Sequence, residues 1–134
     1  MRRREFITFL GGAAATWPFT AHAQQVEKAF RIGFLSGGSK PANAANLGAF
    51  RRGMRELGYV EGRTFNIETR FAEGKFERLP LLIKELLALD PDVLLVQTTP
   101  ANLAAKSATA TVPIVMVGVA DPEGAGLIKS YSHP

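Results

Sequence analysis

Three short stretches hold the residues of this chain that could do chemistry: Ser36-Gly37-Gly38-Ser39, Gln97-Thr98-Thr99 and Ala120-Asp121-Pro122. Between them they offer hydroxyls, one side-chain amide, glycines that let a ligand approach the backbone, and a single carboxylate. That set suits reversible hydrogen bonding to a small polar solute. A carboxylate on the solute would be favoured where a helix turns its free N–H groups and positive dipole end toward it. Asp121, the only acid in the three stretches, could accept from an amine or hydroxyl. Each stretch also has a structural alternative. SGGS could be a plain turn, Thr99 before Pro100 reads as an N-cap, and Asp121 before Pro122 could cap the next helix.

Catalytic sets do not assemble. The only histidines are His22 and His133, near the two ends, so no His-based triad or metal cluster can be built between them. With no cysteine, disulfides, thiolate metal sites and Cys nucleophiles are excluded. SGGS matches neither GxGxxG nor the GxxxxGK phosphate loop, and no acid closes the second strand as a dinucleotide site would want. Asp121 has no second carboxylate beside it. These residues point to a binding protein with no cofactor and no metal, not to an enzyme.

For the three stretches to meet, each must end a strand of one sheet. Arg31–Leu35 reads as a strand running into SGGS. From Asn43 to Leu57 the residues Leu47, Phe50, Met54 and Leu57 recur at helical spacing, with Arg51, Arg52, Arg55 and Glu56 on the solvated face and Gly58 as the stop. Thr64–Phe71 alternates apolar and polar, the pattern of an edge strand. Glu77–Leu89 predicts a second helix, with Pro80 in its first turn. Val93–Val96 is a continuous apolar strand, Ala101–Thr109 a third helix capped by Thr99, and Ile114–Val119 a fourth strand. Asp90 and Asp92 fall at the amino end of strand three as turn formers. The order β-α-β-α-β-α-β with short connections predicts an α/β fold, an open parallel doubly wound sheet. Strand two patterns as an edge and strands one, three and four as central, which fits the order 2-1-3-4. The switch point between strands one and three then forms the crevice, and the first and third helices open onto it.

The 134 residues suit one modest domain, and 46% hydrophobic with 21% charged residues is an ordinary globular composition. The net charge of +4 owes much to Arg2, Arg3 and Arg4. Setting these and Glu5 aside, the chain from residue 24 carries thirteen basic against eleven acidic residues. That balance gives no reason to expect nucleic acid as a partner. Residues 1–23 read as an export signal: three arginines, an apolar stretch from Phe6 to Phe19, then Ala21-His22-Ala23 as a cleavage site before Gln24. The apolar stretch is too short to span a bilayer as a helix. Arg3-Arg4-Glu5-Phe6-Ile7 is similar to the twin-arginine export signal, although Arg2 and Thr8 depart from it and leave general secretory export open. The expected place is the periplasm, reached through export machinery, with residues 24–134 as the mature chain.

Taken in order, RRREFITFLGGAAA with AHAQ, IGFLS, AFRRGMRELGYVEGRTFNIETRFAEGKFERLP and TVPIVMVGVADPEGAGLI resemble the substrate-binding proteins of ABC transporters, in the family related to tryptophan-binding members. The resemblance covers nearly the whole chain. It implies a type I periplasmic-binding fold, with two α/β lobes closing on a ligand. It also implies an exported protein that hands a small solute, in some members an amino acid, to an ABC permease in the membrane. It adds no residue-level site of its own, so the ligand-contact positions are those the topology already selects: Ser36, Gly37, Thr98, Thr99 and Asp121. Such proteins run to about twice this length in two lobes of ordinary domain size. The chain is therefore expected to be an incomplete N-terminal lobe, residues 24–134, that binds its solute weakly or not at all and leaves strand four as an unpaired edge. The competing expectation is a free-standing, exported flavodoxin-like domain acting as a regulatory or interaction module.

Overall fold

The computed structural model describes residues 29–130 and Ser132. The expected export signal, its expected cleavage point after Ala23, and His133 lie outside the described residues. Four strands, β1 (Phe30–Ser36), β2 (Phe65–Phe71), β3 (Val93–Gln97) and β4 (Ile114–Val117), alternate with three α-helices, α1 (Lys40–Glu56), α2 (Leu79–Ala88) and α3 (Thr99–Ala108). A short 3-10 turn, Phe76–Arg78, precedes α2. The sheet is parallel throughout in the order β2-β1-β3-β4, as the apolar patterns predict.

Alternate residues of β1 and β3 feed two separate cores, which is why both strands read as continuous apolar runs. On one face Ile32, Phe34, Leu95 and Phe65 meet Leu47, Phe50 and Met54 of α1. On the other, Leu35, Leu94 and Val96 meet Leu79, Leu82, Ile83 and Leu86 of α2 and Ala101 and Ala105 of α3. One helix on one face and two on the other is the division that right-handed crossovers require for this strand order. Each fully buried Leu or Ile contributes about 1.5–3 kcal/mol. The small Ala101 and Ala105 let α3 lie close to the sheet.

The helix bounds follow local chemistry. Ser39 caps α1, its hydroxyl accepting from the Ala42 N–H at 3.3 Å. Gly58 stops it in the left-handed conformation, at φ 90°. Arg51 pairs with Glu61 at 2.9 Å on the surface, while Arg52 and Arg55 are exposed, so this basic face is solvated. At the amino end of β3, Asp90 is left-handed and Asp92 accepts from the Arg31 N–H at 2.8 Å; both form the turn, as their sequence positions suggested. Near the other end of β2, Arg70 bonds Glu85 at 3.0 Å and Glu68 at 3.2 Å. Partial burial alone would lower its pKa, but these two carboxylates outweigh that and hold it above its ordinary value.

β4 differs from its expectation. It ends at Val117, not Val119, because Gly118 turns the chain at φ 63°. Among the described residues it pairs only with β3, and Val115 is exposed. With one helix on this face, β3 and β4 are left beside an open apolar groove of about 380 Å³, lined by Phe50, Met54, Leu57, Val93, Leu95 and Val115. No helix among the described residues is long and apolar enough to cross a membrane.

Candidate functional site

Strand register decides which residues can share a site. Phe71, Ser36 and Gln97 are paired across β2, β1 and β3, and Gln97 pairs with Val117 of β4. The residues that leave the sheet side by side are therefore Ala72, Gly37, Thr98 and Gly118. Gly37 and Thr98 were both expected here, and the structure brings them into direct proximity. A Cβ added to Gly37 would stand 2.7 Å from Thr98 Oγ1 and 2.9 Å from Phe76 Cε1. Any side chain at position 37 would thus fill the mouth between β1 and β3.

Ser36 is buried, and its oxygen accepts from the Gly38 N–H at 3.0 Å and from Asn43 Nδ2 at 3.1 Å. It shapes the loop that carries Gly37. Asn43 Nδ2 also donates to the Ser39 carbonyl at 2.7 Å, tying α1 to the loop that precedes it. A parallel device serves β3 and α3: Asn102 Nδ2 donates to the carbonyls of Val96 at 2.9 Å and Thr98 at 2.8 Å. The two sequences, Ser39-Lys40-Pro41-Ala42-Asn43 and Thr98-Thr99-Pro100-Ala101-Asn102, match in pattern. Each has a hydroxyl residue at the cap, proline at the second helical position and asparagine four residues after the cap.

That match corrects one expectation. The cap of α3 is Thr98, and Thr99 is the first helical residue. The proline sits one position deeper than the usual first-position preference suggested. Comparison of SKPAN with TTPAN was the available signal. The two caps also differ in a way the sequence does not reveal. Ser39 bonds its own helix, whereas Thr98 makes no side-chain capping bond and has φ 81° and ψ 150°. This backbone region is nearly exclusive to glycine and costs on the order of 1–3 kcal/mol for another residue. Hence the N-terminus of α1 is closed by its own serine, while no side-chain cap closes that of α3.

The buried side-chain polar atoms lacking a partner among the described residues are Asn43 Oδ1, Gln97 Oε1, Thr98 Oγ1 and Asn102 Oδ1. All four belong to residues at the carboxyl ends of β1 and β3 or to the helices that start there. An unmet buried acceptor costs about 1–3 kcal/mol, so such a concentration calls for a partner.

A further wall was missed. The loop after β2 is laced to the loop after β1 by three backbone bonds. Ala72 N donates to Ser36 O at 2.9 Å, Glu73 N to Gly38 O at 3.0 Å, and Gly74 N to Gly37 O at 2.8 Å. Lacing of this kind brings Glu73, itself left-handed at φ 55°, and Phe76 to the rim. Asp121 is consequently not the only acid of the crevice region. Edge-strand alternation in β2 gave no hint that its following loop folds back over β1. Asp121 itself lies beyond Gly118, past the row of strand ends. It is exposed, and its Oδ1 accepts from the Gly124 N–H at 3.0 Å, so it closes a turn where a capped helix was the alternative considered. The chain then runs back along α3, where Lys106 Nζ donates to the Gly126 carbonyl.

No group of metal-ligating side chains occurs among the described residues. The arrangement is one of hydrogen-bonding atoms, an uncapped helix end and one aromatic ring, which can hold a small polar molecule.

The comparisons with known proteins bear on the family and the fold. The family model described as ABC transporter substrate binding protein matches residues 32–134. A tyrosine-binding protein of Clostridioides difficile is 29% identical over 85 residues, covering 63% of this chain and 25% of that protein. The ABC domain from Streptococcus pneumonia solved in complex with L-Trp superposes with a TM-score of 0.70 at 29% identity. A conserved domain protein from Vibrio cholerae gives 0.72 at 31% identity. Each of these two structures is matched over 77% of this chain but only 35% of its own length. The chain spans about a third of the solved relatives it resembles, and it belongs to the family of ABC transporter substrate-binding proteins.

Proposed function

We infer that the chain supplies one wall of a solute-binding site in an ABC importer, and that the wall is formed by residues 36–38, 72–76 and 97–99. The solute is an amino acid. Its carboxylate meets the uncapped N-terminus of α3. The observation that carries this reading is the N-terminus of α3, which no side chain caps and which opens beside Gly37 at the carboxyl ends of β1 and β3. The relatives lend support through a tyrosine-binding protein and a structure holding L-Trp. Family membership favours this reading over a free-standing flavodoxin-like domain.

The mechanism is reversible binding followed by hinge closure of a second lobe, with no chemical step. Delivery is to an ABC permease. The protein works in the periplasm after export and cleavage behind Ala23. Because residues 24–134 provide one lobe, the chain by itself holds its solute with a Kd on the order of 1 mM, since half the contacts of a closed cleft are absent. Calorimetric titration with a panel of amino acids, sugars and nucleotides tests this. Weak, saturable binding of amino acids is expected. Preference for a sugar or nucleotide would overturn the solute class, and nanomolar binding would overturn the need for two lobes.

A further inference from the structure

The α1 face of the sheet carries a single helix, and the ground beside that helix is bare among the described residues. Phe50, Met54 and Leu57, at helical spacing on α1, form one wall of the groove there, and Val93, Leu95 and Val115 form its floor. No charged residue lines it. Phe30, Leu57 and Val115 stand 55%, 75% and 48% exposed along it. A contiguous apolar surface of this kind marks a place where something binds. α2 and α3 lie on the opposite face, and the chain after β4 runs along α3, so none of these covers it.

The occupant is indicated by where the amino-terminal segment joins. Residues 1–28 lead into β1 through Ala29, and Phe30, the first residue of that strand, itself lines the groove. At helical spacing Phe6, Phe9, Leu10 and Trp17 fall on one side of the segment, with Thr8, Gly11, Gly12 and Ala15 on the other. The stretch from Phe6 to Phe19 covers about 21 Å as a helix, against about 17 Å for the five residues of β3. Residues 20–28 can reach about 30 Å when extended, enough to turn the stretch back onto the sheet. Such a tether favours docking within one chain over docking between chains.

We propose that the groove between α1 and β4 is the seat of this chain's own amino-terminal segment, with Phe6, Phe9, Leu10 and Trp17 packed on Leu57, Leu95 and Val115 for as long as residues 1–23 remain attached. The seat is the face of β3 and β4, and it leaves the hydrogen-bonding edge of β4 free. While the segment is seated, two apolar surfaces are withdrawn from water together; its removal bares the groove.

Trp17 is the single tryptophan of the chain, and there is no cysteine, so two specific probes are at hand. The first test is Trp17 fluorescence with acrylamide quenching in the 134-residue chain, its Phe9→Asp variant and its Val115→Glu variant. Blue-shifted, shielded emission that does not change on dilution is expected. Either charge should lower the ratio of seated to free segment at least about fivefold, read as a red shift and stronger quenching. Water-like emission from the unaltered chain would overturn the proposal. Shielding lost on dilution would overturn it too, by making a second copy the occupant, and shielding that neither variant relieves would overturn the groove as the seat. Phe9 lies outside the folded lobe, so its variant cannot fail by unfolding it. The second test is a nitroxide on Ala15→Cys, on the side of the segment away from the groove. It should broaden the amide signals of Met54, Leu57 and Val115 and spare those of residues 36–38. Broadening centred elsewhere, or none, would refute the proposal.

Discussion

Thr98 concentrates the account into one residue. It carries a backbone conformation that only glycine adopts without strain, and a buried hydroxyl with no partner among the described residues. Both features disfavour the unliganded fold, which is the condition expected where a residue is retained for binding. Thr98→Gly should therefore raise stability by about 1 kcal/mol, read as a higher urea midpoint at unchanged slope, while weakening amino-acid binding. A drop in stability would show that the strain is compensated within the lobe. The sequence marked Thr98 as a candidate but gave the cap to Thr99. Propensity rules weigh each proline alone, whereas the resemblance of TTPAN to SKPAN carried the correct frame. Phe76 had no signature at all. Its place depends on backbone bonds between loops thirty or more residues apart, and no local pattern encodes those.

At the level of the elements, the strand order followed from patterning because burial differs by position in the sheet. β2 alternates since one of its faces is solvated, and β1 and β3 do not since helices cover both. β4 was overextended in the sequence reading for the same reason. An apolar run reports low polarity, not whether a neighbouring strand or helix is present. The helix stripes were equally legible and give a contrast that can be measured. Leu86 is 1% exposed and packs against Leu35 and Leu94, whereas Leu81, on the same helix, is 63% exposed. Leu86→Ala should cost about 2–5 kcal/mol by chemical denaturation, and Leu81→Ala should stay within about 0.5 kcal/mol. Comparable losses at the two sites would contradict the placement of α2 on the sheet.

For the whole molecule, two surfaces bear on its behaviour: the rim at the carboxyl ends of the strands and the open side at β4. An edge strand unpaired on its outer side among the described residues, with an exposed valine beside an apolar groove, is an invitation to pair with a second copy. Val115→Lys should lower the apparent mass by light scattering at high concentration without changing solute affinity. An unchanged mass from an associating parent would place the association elsewhere. The rim is the central claim, and its most direct test is amide chemical-shift mapping of the labelled chain during titration with L-Tyr. The account predicts shifts confined to residues 36–38, 72–76 and 97–99, saturating together. Shifts centred instead on the cavity at the amino end of the sheet, lined by Arg31, Asn66, Leu86 and Pro91, would contradict it, as would no shifts at all.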